Sequence, residues 1–232
     1  MSADPLVLLD DVERATSRLL ATAGSLDADP SAPSLLPGWT RGHLLTHVAR
    51  NADSLVNLLT WARTGVVTPQ YPSAGQREAD IAAGADRPWT VLVADVRDSA
   101  DRFAKAAAML SAGDWAAHLD LPNGPQPAAL VPWRRLREVE VHHVDLAGGY
   151  TAADWPAAFT HRVLHEVAAT LDGVALTVRP DGLGHRIPVG AGGSPEVSGP
   201  AYALAAWLTG RATGDGLTVD PPGPLPPIPD WT

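Results

Sequence analysis

The sequence predicts an α+β protein, in which an N-terminal four-helix bundle precedes a smaller C-terminal α/β domain. Three observations lead to this prediction. Four segments among the first 150 residues place apolar side chains at helical spacing, and the chain changes character after Gly148 and Gly149. A later segment carries β-branched runs around Asp181 and Gly182, which is typical of a hairpin. We therefore expect a bundle domain at residues 1–150 and an α/β domain at residues 151–232.

Each helix of the bundle is predicted from its apolar periodicity and from the breaks that flank it. The first covers residues 5–26, where Leu8, Val12 and Leu19 share one face. The second follows the motif LPGWT and runs from about residue 40 to 63, and the third covers residues 89–111. A long connection with a predicted turn at Asn123-Gly124 leads to the fourth helix, which begins near Pro132.

The C-terminal domain is predicted to alternate helix and strand. Residues 153–171 fit a helix, the segment around the Asp181-Gly182 turn fits a hairpin, and residues 198–211 return to helix. The proline-rich tail after Asp220 can only be extended or irregular, because proline cannot continue a helix or a central strand.

Composition excludes several kinds of partner. The net charge is −9, and Lys105 is the single lysine among 17 basic residues, so we expect no nucleic-acid or anionic membrane partner. The chain contains no cysteine, so a metal must be held by His, Asp or Glu. The N-terminus lacks a secretory signal, and no stretch approaches the roughly 20 apolar residues of a membrane helix. We predict a cytoplasmic protein that is a monomer or a weak dimer.

The stretch REVEVHHVDL concentrates titratable groups on the predicted fourth helix. Spacings of three and four place Arg135, Glu138, His142 and Asp145 on one stripe. His47 lies near the core face of the second helix, so two facing helices can present a His2Glu ligand set. Three protein ligands leave an open position, which is typical of catalytic zinc. Asp145 can accept a hydrogen bond from a ring nitrogen of His142 or a neighbour.

Simpler interpretations fit the same residues. His43 and His47 at spacing four are also typical of surface or capping histidines, and Glu138 with His142 fits an exposed polar pair. The remaining histidines have no partner pattern, so we predict solvated or hydrogen-bonded roles for His118, His161, His165 and His185. We interpret Trp39, Trp133 and Trp207 as core or bundle-end aromatics.

Three motifs, LPGWTRGHLLTHVARNADSL, REVEVHHVDL and ALAAWLTGR, resemble the mycothiol-dependent maleylpyruvate isomerase family over most of the chain. The resemblance implies a DinB-like four-helix bundle with a small C-terminal α/β domain. It also implies that zinc, or another divalent metal, is bound by His47, Glu138 and His142. Arg211 matches an arginine that the family's isomerases use near the substrate, although an arginine at a helix C-terminus is also explained by the helix dipole.

The resemblance further implies a reaction. Mycothiol would bind as a thiolate at the open metal position and add to the cis double bond of an enedioyl substrate such as maleylpyruvate. Rotation about the resulting single bond and elimination would then release the trans isomer. Arg211 would bind a carboxylate and stabilise the enolate. Asn51, Tyr71 and Arg77 are predicted to line the thiol site, with loop anchoring and solvent exposure as their alternatives.

Two other functions fit the same motifs. A mycothiol-dependent S-transferase would attach the thiol to an electrophilic metabolite or xenobiotic without isomerisation. A non-catalytic metal-binding module would use the same residues without any open coordination position. In both enzyme interpretations the partners are a small-molecule thiol and a small electrophilic substrate.

Overall fold

The structure is a computed structural model and describes residues 4–26, 28–73, 75–122 and 124–231. The chain divides into two units, Met1–Gly149 and Tyr150–Thr232. Helices dominate the first unit, and the second combines helices with a four-stranded sheet, so the predicted α+β class is confirmed. None of the described helices is both long enough and apolar enough to span a membrane.

The helices of the first unit, within its described residues, are α1 (Pro5–Ser25), α2 (Arg41–Thr64), α3 (Gln76–Gly84), α4 (Trp89–Ala108), α5 (Ala112–Ala116) and α6 (Val131–Asp145). The long helices α1, α2, α4 and α6 form the predicted bundle. Both α1 and α2 contact α4 and α6, so the helices follow one another around the bundle in the order α1, α4, α2, α6. Each pair of neighbouring helices in this order forms one of four seams. The core between them is built from fully buried aliphatic side chains, among them Leu19, Leu44, Leu55, Leu92 and Val139.

Capping explains where the second helix begins. The Thr40 hydroxyl accepts a hydrogen bond from the backbone N–H of His43, and the His43 ring in turn accepts from the backbone N–H of Thr40. This reciprocal arrangement satisfies donors that a helix N-terminus leaves unpaired. The helix ends at Gly65, whose φ of 71° lies in the left-handed region that glycine adopts without strain. The cap thus places His47 nearly two turns inside a well-defined helix.

The connection between α4 and α6 holds structure that was not predicted. α4 ends at Ala108 rather than at residue 111, because Ser111 instead caps α5. Strand β1 (His118–Leu121) then pairs antiparallel with β2 (Gly124–Pro127), and Leu121 lies opposite Gly124. The predicted turn at Asn123-Gly124 involves Asn123, which lies outside the described residues. A 3-10 turn over Ala128–Leu130 leads into α6, which begins beside Pro132 as predicted.

The second unit contains α7 (Ala157–Thr170), β3 (Ala175–Pro180), β4 (Ile187–Gly190), β5 (Glu196–Gly199), α8 (Ala201–Leu208) and β6 (Thr218–Asp220). The predicted hairpin is confirmed, since β3 and β4 pair antiparallel around the Asp181-Gly182 turn. The sheet order is β4-β3-β5-β6, with β5 parallel to β3 and β6 antiparallel to β5. Buried residues alternate along β3, and α7 and α8 contact the sheet and each other.

The predicted helix over residues 198–211 is wrong at its start. Ser198 and Gly199 belong to β5, and α8 begins only after Pro200. The physical reason is that a proline disfavours helical dihedral angles in the residue that precedes it. Beyond β6 the described tail has no regular structure, as its prolines predicted.

Candidate metal centre

Three side chains converge at the seam between α2 and α6. Each of His47, Glu138 and His142 offers one ligand atom, and these atoms lie within 4.8 Å of one another. The Glu138 Oε2 atom is 2.8 Å from His47 Nε2 and 3.4 Å from His142 Nε2. The two imidazole rings are nearly perpendicular, at 88°, with centroids 4.7 Å apart. The structure thus brings together the three residues for which we predicted a metal role.

Solvent reaches this cluster from one side. The side chain of His47 is only 3% exposed, whereas those of His142 and Glu138 are 12% and 21% exposed. His47 is buried because it lies on the core face of α2, between Leu44 and Val48. A small molecule can therefore approach the cluster through the exposed edges of Glu138 and His142.

The surroundings set different protonation tendencies for the three groups. Burial lowers the pKa of His47 to about 4, so its ring is neutral at neutral pH. Burial alone would lower the pKa of His142, but its hydrogen bonds to Asp145 and Glu138 outweigh this and raise the pKa. Burial opposes ionisation of Glu138, yet the two histidines hold its pKa well below the usual range. The cluster therefore centres on an ionised carboxylate.

Asp145 orients His142 from the side away from Glu138. Its Oδ2 atom lies 2.9 Å from His142 Nδ1, as the spacing of three residues predicted, and its side chain is buried. With Nδ1 bonded to Asp145, the ring directs Nε2 towards Glu138. Carboxylates commonly orient metal-binding histidines in this way.

The donor set fits a divalent metal. Bonds of about 2.1 Å in a tetrahedral zinc site place ligand atoms about 3.4 Å apart. The distance between His142 Nε2 and Glu138 Oε2 is 3.4 Å, whereas the shorter 2.8 Å contact between Glu138 and His47 is a hydrogen bond that a metal would replace. Two imidazoles and one carboxylate suit zinc, and they also accept nickel, cobalt or iron.

Trp39 and Arg77 pack against the buried histidine. The indole of Trp39 meets the His47 ring edge to face, with centroids 5.4 Å apart. Arg77, on α3, places Nη2 3.4 Å from His47 Nδ1 and its Cζ 5.7 Å from the Trp39 ring. Our prediction for Arg77 concerned the thiol, and its contact with His47 was not foreseen. The sequence indicates only a packing role for Trp39, because a loop residue has no periodicity that would connect it with His47.

Tyr71 and Asn51 occupy different surroundings. Tyr71 is half-buried and lines a cavity of about 520 Å³ together with Trp61 and Arg134. Burial raises the pKa of Tyr71, so its phenol remains protonated at neutral pH. Asn51 is buried, and its Oδ1 atom accepts a hydrogen bond from Arg135 at 3.0 Å. Thiol contacts of Tyr71, Asn51 and Arg77 stay predictions.

Arg211 follows α8 in the second unit. Its Nη1 atom donates to the carbonyl oxygen of Thr209 at 2.6 Å, and its backbone N–H donates to Ala206 at 2.7 Å. These contacts satisfy carbonyl groups at a helix C-terminus, which is the alternative role considered for this arginine. Its contact with a substrate stays a prediction.

Other histidines have structural contacts that agree with the simpler interpretations. The His43 ring contacts the Thr40 hydroxyl at 2.7 Å within the helix cap. The His143 ring lies 2.7 Å from the Thr22 hydroxyl, and the rings of His165 and His185 stack with centroids 5.6 Å apart. Within the described residues, three His, Cys, Asp or Glu side chains that could together hold a metal ion occur only at the α2–α6 seam.

A four-helix bundle that directs two histidines and a carboxylate into one seam is typical of bundle proteins that hold a metal between facing helices. Comparison with family models identifies the family. Residues 10–147 match the mycothiol maleylpyruvate isomerase N-terminal domain, and residues 154–229 match the C-terminal domain of the same family. The chain therefore belongs to the mycothiol maleylpyruvate isomerase family.

Two solved structures are similar to the chain along its whole length. One is a crystal structure of the mycothiol-dependent maleylpyruvate isomerase, with 31% sequence identity and a TM-score of 0.91, covering 99% of this chain and 98% of that one. The other is a histidine-to-alanine mutant of the mycothiol-dependent maleylpyruvate isomerase, with 30% identity, the same TM-score and the same coverage. A search of curated protein sequences found no significant match.

Proposed function

We propose that this protein is a mycothiol-dependent cis–trans isomerase of the maleylpyruvate type, with a divalent metal bound by His47, Glu138 and His142. The observation that carries the proposal is the match to the isomerase over 99% of the chain, together with a His2Glu cluster at the α2–α6 seam. The chain has no cysteine, so an external thiol is required for thiol chemistry. When bound together, metal and mycothiol would supply a thiolate nucleophile at neutral pH.

The residues of the cluster are suited to hold the metal. His47 is neutral at neutral pH, so binding a metal through Nε2 requires only that its ring proton move to Nδ1, with no net loss of a proton. His142 presents Nε2 because Asp145 occupies Nδ1. Glu138 contributes the negative charge that a divalent ion requires.

Arg77 is proposed to leave His47 when the metal binds and to contact the thiol cofactor instead. A guanidinium can only donate, so in its contact with Arg77 the Nδ1 atom of His47 is an acceptor and the ring proton is on Nε2. A ring that binds a metal through Nε2 carries its proton on Nδ1 instead. Metal binding and this contact therefore exclude one another, and the released guanidinium becomes available to a polar thiol cofactor.

The cavity beside Tyr71 is the proposed place for the body of mycothiol. It has a volume of about 520 Å³ and combines the aromatic rings of Trp61 and Tyr71 with the polar side chains of Asp120 and Arg134. This mixture suits a polar, sugar-like molecule. The charges of Glu138 and Arg77 both act on Tyr71, so the tyrosine connects the cavity with the cluster.

Arg211 is proposed to bind a substrate carboxylate and to stabilise the enolate that forms after addition. A guanidinium is suited to this role because it grips a carboxylate with two hydrogen bonds and keeps its charge. Arg211→Lys keeps the positive charge but cannot form the two parallel hydrogen bonds of a guanidinium, so the KM for maleylpyruvate should rise about tenfold or more. An unchanged KM would refute the contact with the substrate and would leave Arg211 only its hydrogen bonds at the C-terminus of α8.

Metal content tests the ligand assignment. Wild type, His142→Ala and His143→Gln are purified without added metal and analysed for bound zinc, nickel, cobalt and iron. We expect His142→Ala to lose the metal and His143→Gln to keep it, because His143 contacts Thr22 and lies outside the cluster. Equal metal content in wild type and His142→Ala would refute the assignment.

Turnover of maleylpyruvate with and without mycothiol tests the reaction. An isomerase regenerates the thiol, so free mycothiol should stay constant while the trans product accumulates. Consumption of mycothiol with formation of a stable thioether would instead establish the S-transferase, and no thiol-dependent reaction with metal bound would favour a non-catalytic module.

A further inference from the structure

A second cavity opens between α1 and α4, at the seam of the bundle opposite the metal cluster. Its volume is about 460 Å³, within the range of small-molecule sites, which is about 300–1,000 Å³. Apolar side chains, including Val12, Leu20 and Phe103, line most of its surface. The helices follow the order α1, α4, α2, α6 around the bundle, so the α1–α4 seam and the α2–α6 seam lie on opposite sides of the core.

Arg135 forms part of the inner wall of this cavity and is fully buried. Its Nη1 atom donates to the carbonyl oxygen of Val48 at 2.7 Å and to Asn51 Oδ1 at 3.0 Å, both on α2. The Nε and Nη2 atoms have no hydrogen-bond partner in the described protein. The hydroxyl of Thr16, another residue of the cavity wall, also has none.

This edge of the guanidinium needs an acceptor. A buried donor on a charged group that lacks a partner costs on the order of 1–3 kcal/mol or more. Glu138 and Asp53 act on Arg135 only through their charges, and neither makes a hydrogen bond to it. Burial lowers the pKa of Arg135 to about 10, so the group is still a cation at neutral pH.

The missing acceptor and the apolar wall together define a ligand. We propose that the α1–α4 cavity binds a small monocarboxylic acid, whose apolar body packs against α1 and α4 and whose carboxylate reaches the buried Nε and Nη2 edge of Arg135 when the side chains that cover this edge move aside. The Nε and Nη2 protons of an arginine point in the same direction, so they match the two oxygens of one carboxylate. The Thr16 hydroxyl can donate to the same group.

The entrance of the cavity limits the charge of the ligand. Exposed Asp10, Glu13 and Asp101 lie at the cavity, with Arg97 as the exposed cation beside them. A molecule with several negative charges is repelled by these carboxylates, whereas a single carboxylate passes and is neutralised by Arg135. This selects against a dicarboxylate or a phosphate, so the ligand differs from the substrate proposed above.

Calorimetric titration of the full-length protein at neutral pH tests the proposal. The probes are benzoate, 4-phenylbutyrate and octanoate, each compared with the matched alcohol. We expect at least one acid to bind, and its alcohol to bind about ten- to hundredfold more weakly, because it lacks the charge-assisted hydrogen bonds. The proposal does not involve the metal or mycothiol, so binding should occur with and without them.

Variants locate the binding site. Ala100→Trp fills the cavity from α4 and should abolish binding, whereas Ala83→Trp, on the exposed face of α3, should leave it unchanged. Arg135→Met should reduce acid binding to the level of the alcohol. If Arg135→Met does not fold, Ala100→Trp still tests whether the acid binds in this cavity, and the comparison of acid with alcohol still tests whether the carboxylate is recognised.

Three results would overturn the proposal. Absence of binding by all three acids would mean that the cavity holds only water. Equal affinity of acid and alcohol would show that Arg135 does not recognise the carboxylate. Unchanged binding in Ala100→Trp would place the site elsewhere.

Discussion

The two adjacent histidines of α6 have different roles because they point in directions about 100° apart. His142 faces α2, where it joins His47 and Glu138 and is held by Asp145. His143 faces α1 and contacts Thr22. At the scale of single residues, the geometry of the cluster therefore depends on residues such as Asp145, which hydrogen-bonds to a proposed ligand and orients it.

The first prediction concerns Asp145. Asp145→Asn should lower zinc affinity about 10- to 100-fold, because an amide orients His142 less firmly and makes it less basic than a carboxylate does. Competition with a chelator of known affinity measures the change, with His143→Gln as the control. Zinc affinity equal to that of wild type would mean that the hydrogen bond between Asp145 and His142 is irrelevant to the site.

The second prediction concerns Arg77. Arg77→Leu should raise zinc affinity roughly fivefold, because it removes about 1 kcal/mol of repulsion between a cation and the metal. The same change should weaken mycothiol binding, since the proposed contact with the thiol cofactor is lost. Both affinities can be measured by calorimetry, and weaker binding of zinc would contradict the exchange of partners proposed for Arg77.

At the scale of elements, α1 and α6 are joined by an ion pair between a part-exposed arginine and a buried carboxylate. Arg18 Nη2 lies 2.5 Å from Glu140 Oε1, and the Glu140 side chain is only 1% exposed. Arg14, one turn earlier on α1, makes an exposed pair with Asp11 at 2.6 Å. The chain thus offers two arginine ion pairs on the same helix, one with a buried carboxylate and one with a more exposed carboxylate.

The third prediction compares these two arginines. Arg18→Met should reduce the free energy of unfolding by about 1.5–3 kcal/mol, because the buried Glu140 carboxylate loses the charge-assisted hydrogen bond from Arg18. Arg14→Met should change it by less than about 0.5 kcal/mol, since exposed pairs contribute little. Urea unfolding monitored by circular dichroism measures both, and equal effects would show that burial does not matter here.

The fourth prediction compares two helical glycines. A Cβ atom on Gly42 would lie 2.0 Å from the carbonyl oxygen of Ala85, whereas one on Gly24 would meet nothing within 4 Å. Gly42→Ala should therefore destabilise the protein by about 2–3 kcal/mol, because the backbone between α3 and α4 must shift. Gly24→Ala should stabilise it by about 0.5–1 kcal/mol through helix propensity. Thermal unfolding distinguishes these opposite signs.

At the scale of the whole molecule, metal binding and folding should be linked. The proposed ligands come from two helices that are distant in sequence, so the complete site exists only in the folded bundle. A ligand that binds only the native state stabilises it by mass action.

The fifth prediction follows from this linkage. Zinc at a free concentration of about 100 times its Kd should stabilise the protein by about 2.7 kcal/mol. Calorimetric scans with zinc and with a chelator measure the shift in Tm, which should disappear in His142→Ala. An equal shift in that variant would place the bound metal elsewhere.

Long helices were predictable because each repeats its apolar positions over many turns. α3 and the β1–β2 pair were missed because they are short. The nine residues of α3 bury only Ile81 and Gly84, β1 has only four residues, and β2 contains two prolines that obscure any alternation. In the second unit the Asp181-Gly182 turn predicted the β3–β4 hairpin, but not the parallel neighbour β5, which comes from farther along the chain.

Which residues can share a helix face follows from their spacing in the chain. Glu138, His142 and Asp145 lie on one stripe whatever surrounds the helix, because helical geometry depends only on spacing. The side chains that face this stripe are set by the packing of the helices. This packing places Trp39 and Arg77 against His47, and it leaves one edge of Arg135 without a partner beside a cavity. Such contacts join residues from separate elements, so they depend on how the helices pack, which local periodicity does not specify.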